Sequence, residues 1–328
     1  MQLNNQFYDL TQHTQGTIYG GIFALWQHLD AMPDPPPPIL QLRRGYAESP
    51  AWYMIQAAEF FPEPLTVSKL RVRDIYASPS LALALLELMA SEKWFDRLSD
   101  EYRLTHEGMV VMERVKTRAW EPITQLQTYL KETDVETLES LMRRTIDASL
   151  DSGDQQQTLC LYYSRHRAPS DDAAALVKIN QYCSDYNAFR DDAHMAAFKT
   201  FDVDGHVWEA FSYVANDKAT TADAIFEQLA YRGFSRADYH TALHDLTARG
   251  WIHLENGDYV ATENGQNIRQ QVEVTTDNIF YEPWECLNKQ EISQLHQLMT
   301  QLGDELTLIS ERLQTTSPTE ASTVGDEQ

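Results

Sequence analysis

The sequence predicts a mainly α-helical chain with two small β wings, organised as tandem, duplicated winged helix-turn-helix units joined by long helices. Three observations predict it. The stretch from Ser78 to Gly108 reads as a helix, an aromatic strand start at Trp94-Phe95, a polar turn and the beginning of another helix at Thr105. The same grammar returns from Ser235 to Gly265, where Ser235, Trp251, Tyr259, Thr262 and Gly265 match Ser78, Trp94, Tyr102, Thr105 and Gly108 at one constant offset. Apolar residues at helical spacing fill much of the rest. A long-period match of this kind is the signature of a duplicated supersecondary unit.

Each unit has local reasons to fold this way. Ser78 and Ser235 suit helix N-caps, and Pro79 suits the first helical position. Leu81, Leu85, Leu88 and Met89 form an apolar stripe, and Leu243 and Leu246 belong to its counterpart. Leu98-Ser-Asp-Glu101 and Glu255-Asn-Gly-Asp258 are turn stretches, with Asn256-Gly257 a strong hairpin signal. Thr105 and Thr262 then cap the next helix, with an acidic residue in its first turn.

In chain order, residues 1–38 hold a helix over 10–31 and a Pro-rich linker, Pro33 to Pro38, in a polyproline conformation. The helix stripe Ile18, Ile22, Leu25, Trp26 and Leu29 reads either as the first helix of a bundle or as a dimer arm. The first winged unit spans 39–131. Its helices are 48–61, stopped by Pro62 and Pro64, then 65–76 with a Thr66 or Ser68 cap, the Ser78 helix, and a long helix over 106–131. Connecting helices occupy 132–188, at 133–150 and about 170–188, with a loop at 151–157. The second unit spans 189–285, with helices at 206–216, 221–231 and 263–281, the last broken by Pro283-Trp284. A long helix fills 286–314, with a stripe that packs on its own chain or on a second one. The small acidic tail 315–328 is expected to be disordered.

Composition narrows the function classes. The chain has 328 residues, 43% of them hydrophobic, enough for more than one domain. No apolar run approaches the length of a membrane span, and MQLNNQFYDL lacks a signal peptide's pattern. The three cysteines are widely spaced, which suits a reducing, cytoplasmic setting. The net charge is −23, but it is unevenly spread: residues 39–118 carry equal numbers of acidic and basic side chains, while 190–274 carry twice as many acidic as basic. The first unit is therefore the expected DNA reader, with double-stranded DNA as partner.

Its expected contacts are Ser68, Lys69, Arg71 and Arg73 on the helix that crosses the backbone, Ser78 and Ser80 at the start of the reading helix, and Arg97 and Arg103 beside the wing. Past the serines the reading helix offers Leu81-Ala-Leu-Ala84, poor chemistry for base edges. The second unit offers Arg236, Tyr239, His240 and Thr241, interleaved with Asp238 and Asp245. Arg190, Asp192 and His194, inside an apolar frame, read either as a ligand-contacting cluster or as an ion-pair node between helices.

The chain holds no GxGxxG, P-loop, HExxH or GxSxG pattern, so no catalytic residue, no cofactor and no enzyme activity is expected. His240 and His244 have a metal-compatible spacing without an evident third ligand, so no metal is expected. Asp191-Asp192 are adjacent on a helix and do not face each other. Cys183 reads as a buried structural thiol in preference to a nucleophile served by His194.

Across residues 45–130 the layout of two helices, the Trp-Phe strand, Tyr102-Arg-Leu-Thr-x-x-Gly108 and a trailing helix resembles the MarR-type winged helix. That resemblance implies a dimeric repressor responsive to small ligands. Residues 170–300 resemble the SalK-like helix-turn-helix family, through Phe189-Arg-Asp-Asp-Ala-His-Met-Ala-Ala197, Tyr231-Arg-Gly-Phe-Ser235, Leu246-x-x-Arg-Gly-Trp251, Thr275-Thr-Asp277 and Pro283-Trp284. The combined expectation is a cytoplasmic, homodimeric transcription regulator gated by a small-molecule effector. The alternative is a winged-helix protein that no longer binds DNA and serves in protein–protein interaction or small-molecule binding.

Overall fold

A computed structural model describes residues 3–28, 50–152 and 158–315. The chain is mainly helical, with two small antiparallel hairpins among the described residues. The polyproline linker at 33–38 and the acidic tail beyond Thr315 lie outside the described residues, as does 153–157 of the expected loop.

The first winged segment comprises α2 (Pro50–Phe60), α3 (Val67–Arg73), α4 (Pro79–Ser91), β1 (Phe95–Leu98), β2 (Glu101–Leu104) and α5 (His106–Trp120). The second comprises α9 (Gly205–Ala215), α10 (Ala222–Leu229), α11 (Arg236–Ala248), β3 (Ile252–Glu255), β4 (Asp258–Ala261) and α12 (Glu263–Tyr281). The expected caps form: Thr66, Ser78 and Thr105 in the first segment accept from backbone N–H groups three residues on, as do Ser235 and Thr262 in the second, where Thr221 adds a cap that was not expected. Ser235 completes a capping box with Asp238.

The Thr-x-x-Gly motif has one physical meaning in both segments. Thr105 Oγ donates to the Lys93 carbonyl at 2.7 Å, and Thr262 Oγ donates to the Gly250 carbonyl at the same distance. Gly108 and Gly265 then let the helix lie directly on the tryptophan carbonyl: a Cβ would sit 2.0 Å from Trp94 O and 2.1 Å from Trp251 O. The wing therefore fixes the start of the trailing helix.

Among the described residues three hydrophobic cores result. One lies in the first segment, around Phe60, Leu86, Met89, Trp94 and Tyr102. One lies in the second, around Trp208, Phe211, Leu243, Leu246 and Trp251. The largest joins α1 (Asn5–His28), α6 (Glu132–Ser152), α8 (Ala175–Phe198), the end of α12 and α13 (Lys289–Thr315). Leu295, Leu298, Met299, Leu302 and Leu306 of α13 are buried there, as are Phe7, Ile18 and Ile22 of α1. The α13 stripe is thus covered within the chain, as are Ile18 and Ile22 of α1, while Leu25, Trp26 and Leu29 lie outside the residues whose side chains are described.

Several expected boundaries move. The helix expected over 106–131 ends at Trp120 and gives way to a 3₁₀ turn, Glu121–Gln125, because Pro122 cannot supply a helical N–H. The helix expected near 170–188 begins at Ala175 and runs unbroken to Phe198. A short helix, α7 (Leu159–Arg165), had no expectation at all. The first helix starts at Asn5 instead of residue 10.

Candidate nucleic-acid interface

The two third helices, α4 and α11, hold the same place in their segments and present different surfaces. The N-cap of α4, Ser78, is covered by the second segment. Ser78 is 2% exposed, and its backbone N–H donates to the Arg232 carbonyl at 2.7 Å. Gly233 adopts a left-handed φ of +77°, and a Cβ there would lie 2.6 Å from Ser78 Oγ. Arg232 bonds Asp74 of the first segment at 3.2 Å and Glu209 of the second at 2.9 Å. Its guanidinium lies over the rings of Tyr76 and Tyr231. Burial raises the pKa of both carboxyls, and the shared arginine opposes that rise.

What α4 leaves in solvent is largely apolar. Leu83 is 42% and Leu88 39% exposed, with Ser80 and Ala84 beside them. Its acidic residue, Glu87, accepts from Tyr102 Oη at 2.6 Å and pairs with Arg97. The start of α11 is open by contrast. Arg236, Ala237, His240, Thr241 and His244 are all exposed. Tyr239 turns inward, to the core, so the polar residues line the outer face.

The expected phosphate contacts on the first segment are mostly engaged elsewhere. Arg73 points inward: its side chain is 5% exposed and bonds Glu59 at 2.8 Å. Glu59 is fully buried and also bonds Arg167 at 2.8 Å, while its carbonyl contacts His166 Nδ1. Glu59 accordingly ties the first segment to the chain after α7, and Arg73, held inward on it, has no solvent face left for a phosphate. Lys69 bonds Glu63 at 2.6 Å and the Pro64 carbonyl. Arg71 is half-buried, and Ser68 is exposed with its hydroxyl on Thr66. Arg97 pairs with Glu87 and Arg103 with Glu101, both at exposed positions where a phosphate can compete. On the second segment Arg236 pairs with Asp223 and Glu227 and lies over Phe226.

Arg190, Asp192 and His194 do not converge on one ligand position. Arg190 bonds Asp277 at 3.0 Å and the Asn5 side chain, and lies over Tyr8. Asp192 accepts from the Cys160 and Leu161 amides at 2.8 and 2.9 Å, closing the start of α7. Its pKa is raised to about 6 by burial, against those two amides. Desolvation raises the Asp191 pKa to about 7, with Arg73 opposing and Asp192 adding. His194 Nε2 accepts from Trp208 Nε1 at 2.9 Å, so Nδ1 carries the proton towards Thr276 Oγ at 3.2 Å. Burial, with Arg190 and Arg269, holds its pKa down at about 4, and the imidazole is neutral. Each of the three side chains serves a contact of α8 with a neighbouring element.

Burial pushes the Cys183 thiol up to about 12, far from a reactive thiolate. Among the described residues no group of three His, Cys, Asp or Glu side chains is placed to hold a metal. None of the described helices is long and apolar enough to cross a membrane.

Sequence reasoning missed Glu59, Asp74, Glu209 and Arg232, the ionic residues that hold the segments in place. A signal existed for Glu59, a lone carboxylate within the apolar run PAWYMIQAAEF of α2. Such a charge in an apolar helix implies a buried partner.

Comparison with known proteins agrees with the second segment. A model described as a helix-turn-helix family matches residues 166–308, from the end of α7 into α13. The match supports a helix-turn-helix in that region and is not specific to MarR-type or SalK-like proteins. No curated protein and no solved structure matches the chain.

Proposed function

We propose that this chain is a DNA-binding transcription regulator that meets duplex DNA through α11 of the second unit, while the first unit serves as its packing partner. The observation that carries the reading is the contrast between the two third helices. The N-cap of α4, Ser78, is buried under Arg232 and Gly233 and the face that α4 leaves open beyond Ser80 is apolar, whereas α11 offers Arg236, His240, Thr241 and His244 to solvent. Hydrogen-bonding side chains on the outer face of such a helix suit base edges and phosphates. The helix-turn-helix match over 166–308 supports the same unit. The acidic residues around α11 favour a modest, strongly salt-dependent complex, because Asp223 and Glu227 compete with phosphate for Arg236.

The test is fluorescence anisotropy with a random-sequence duplex at about 50 and 200 mM salt, the range over which phosphate contacts show. Binding is expected at low salt, falling with salt, abolished in Arg236→Ala/His240→Ala and retained in Lys69→Ala/Arg71→Ala. The reverse dependence on the two variants would return DNA to the first unit.

A second reading is that the chain acts in protein–protein contact without DNA. The exposed Leu83 and Leu88 of α4 and the local pairing of Lys69, Arg97, Arg103 and Arg236 with carboxylates favour it. Absence of duplex binding at low salt selects this reading.

A further inference from the structure

A cleft of about 280 Å³ opens between α6, the segment that follows α7, and α8, away from the Arg190–His194 cluster. Its wall carries three cations, Arg143, Arg165 and Lys178, against two carboxylates, Glu139 and Asp171. The volume lies near the lower end for small-molecule sites.

The floor is built and held in place. Asp185, whose side chain is fully buried, accepts from Arg165 at 2.7 Å, from Ser164 Oγ at 2.7 Å and from Gln181 Nε2 at 2.7 Å. Arg165 lies over the Tyr182 ring, and Tyr182 Oη donates to Glu139 at 2.9 Å. Because the Asp185 carboxylate needs a donor, the Gln181 amide is fixed with its nitrogen towards Asp185. Gln181 lines the cleft, is 0% exposed, and its Oε1 has no hydrogen-bond partner among the described residues. A buried acceptor left without a donor is costly and rare in a folded protein.

The cations are uneven in their commitments. Arg165 is bound to Asp185. Arg143 makes only long contacts, 4.0 Å to Glu139 and 3.6 Å to Asp147. Lys178 donates to the Asp171 backbone carbonyl, a neutral partner. Arg143 and Lys178 can therefore turn to an anion without breaking a close ion pair.

We propose that this cleft binds a small carboxylate that also carries a hydrogen-bond donor, a hydroxy or amino acid. The carboxylate meets Arg143 and Lys178, and the donor satisfies Gln181 Oε1. The assignment is independent of DNA binding, since the cleft lies away from α4 and α11.

The test is isothermal titration calorimetry of the full chain with L-malate and with succinate, at fixed ionic strength. The two acids match in charge, and only malate carries the hydroxyl. Saturable binding of malate is expected, with succinate weaker by about tenfold because it leaves the buried acceptor unpaired. Arg143→Gln/Lys178→Gln is expected to weaken malate by at least about tenfold. Arg143 is exposed and Lys178 half-buried, and a thermal melt of the variant confirms that it folds. No saturable malate heat up to about 20 mM, a binding free energy of only about 2.3 kcal/mol, would overturn the proposal. Malate binding unchanged in the double variant would also overturn it. Equal affinities for malate and succinate would overturn the role assigned to Gln181.

Discussion

The turn leading into α4 donates a backbone bond to the second unit, Ser78 N–H to Arg232 O, while the turn leading into α11 closes on itself through the Ser235–Asp238 box. The two units share caps, wings and the glycine contact with the tryptophan carbonyl. They differ in what surrounds those shared parts. The first unit is anchored by charge: Glu59 gathers Arg73 and Arg167, and Arg232 reaches across to Asp74. The second is anchored to α8 by a neutral histidine and an aromatic stack, with Trp208 bonded to His194 and lying parallel to Phe198 at 5.4 Å. A repeated local plan therefore need not repeat a function, because neighbours decide which face stays open.

The largest expected effect breaks the ionic anchor. Glu59→Ala leaves two arginines near a buried site without their carboxylate and is expected to cost about 3–5 kcal/mol in urea unfolding. A cost below about 1 kcal/mol, the value of a surface pair, would show that the first unit is not held this way.

The neutral anchor gives a pH signature. His194 has its folded pKa at about 4, below the usual 6.5, so the unfolded chain takes up a proton that the folded chain refuses. Its contribution is full above about pH 6.5 and is lost as pH falls to about 4, roughly 3 kcal/mol at most. Asp191 and Asp192, with raised pKa values, act in the opposite sense over part of that window. The measurement is therefore the stability gap between wild type and His194→Gln, which is expected to narrow on acidification. A gap independent of pH would contradict a neutral, Trp208-bound imidazole.

The shared glycine contact sharpens the comparison from the other side. Gly108→Ala and Gly265→Ala place a methyl on a tryptophan carbonyl at nearly the same distance. Each is expected to destabilise by about 1–3 kcal/mol or more, and by similar amounts. Strongly unequal losses, read from thermal melts of the two variants, would mean that the two wings are not equivalent in packing. The smallest effect is expected from the caps: Thr105→Ala and Thr262→Ala should each cost about 1 kcal/mol by chemical denaturation.

Much of the fold was legible because its signals are local. A serine before a proline, a threonine three residues before a glycine, and Asn-Gly between two strands each fix backbone geometry within a few residues. The bounds of α11 and both hairpins follow from them, and Asn256 and Gly257 both take the positive φ that such a turn requires. The extent of α5 was misread because amphipathic spacing continues past Pro122. α7 was missed because seven residues are too few to show a period, and its N-terminal amides are satisfied by Asp192 of α8.

The site was less legible than the fold. Lys69, Arg71 and Arg73 look alike in sequence as one basic helix, yet one is paired at the surface, one half-buried and one fully engaged with Glu59. By itself the sequence determined the helices, the wings and their repetition, since these depend on φ preferences, caps and periodicity over short spans. Only the tertiary structure decided that the Ser78 cap of α4 is covered, that α11 is open and that Arg190, Asp192 and His194 part ways. Those outcomes depend on which carboxylate, amide or ring arrives from more than eighty residues away in most cases, as Asp277 does for Arg190 and Thr276 for His194. Burial and charge compensation are properties of that meeting and not of either segment alone.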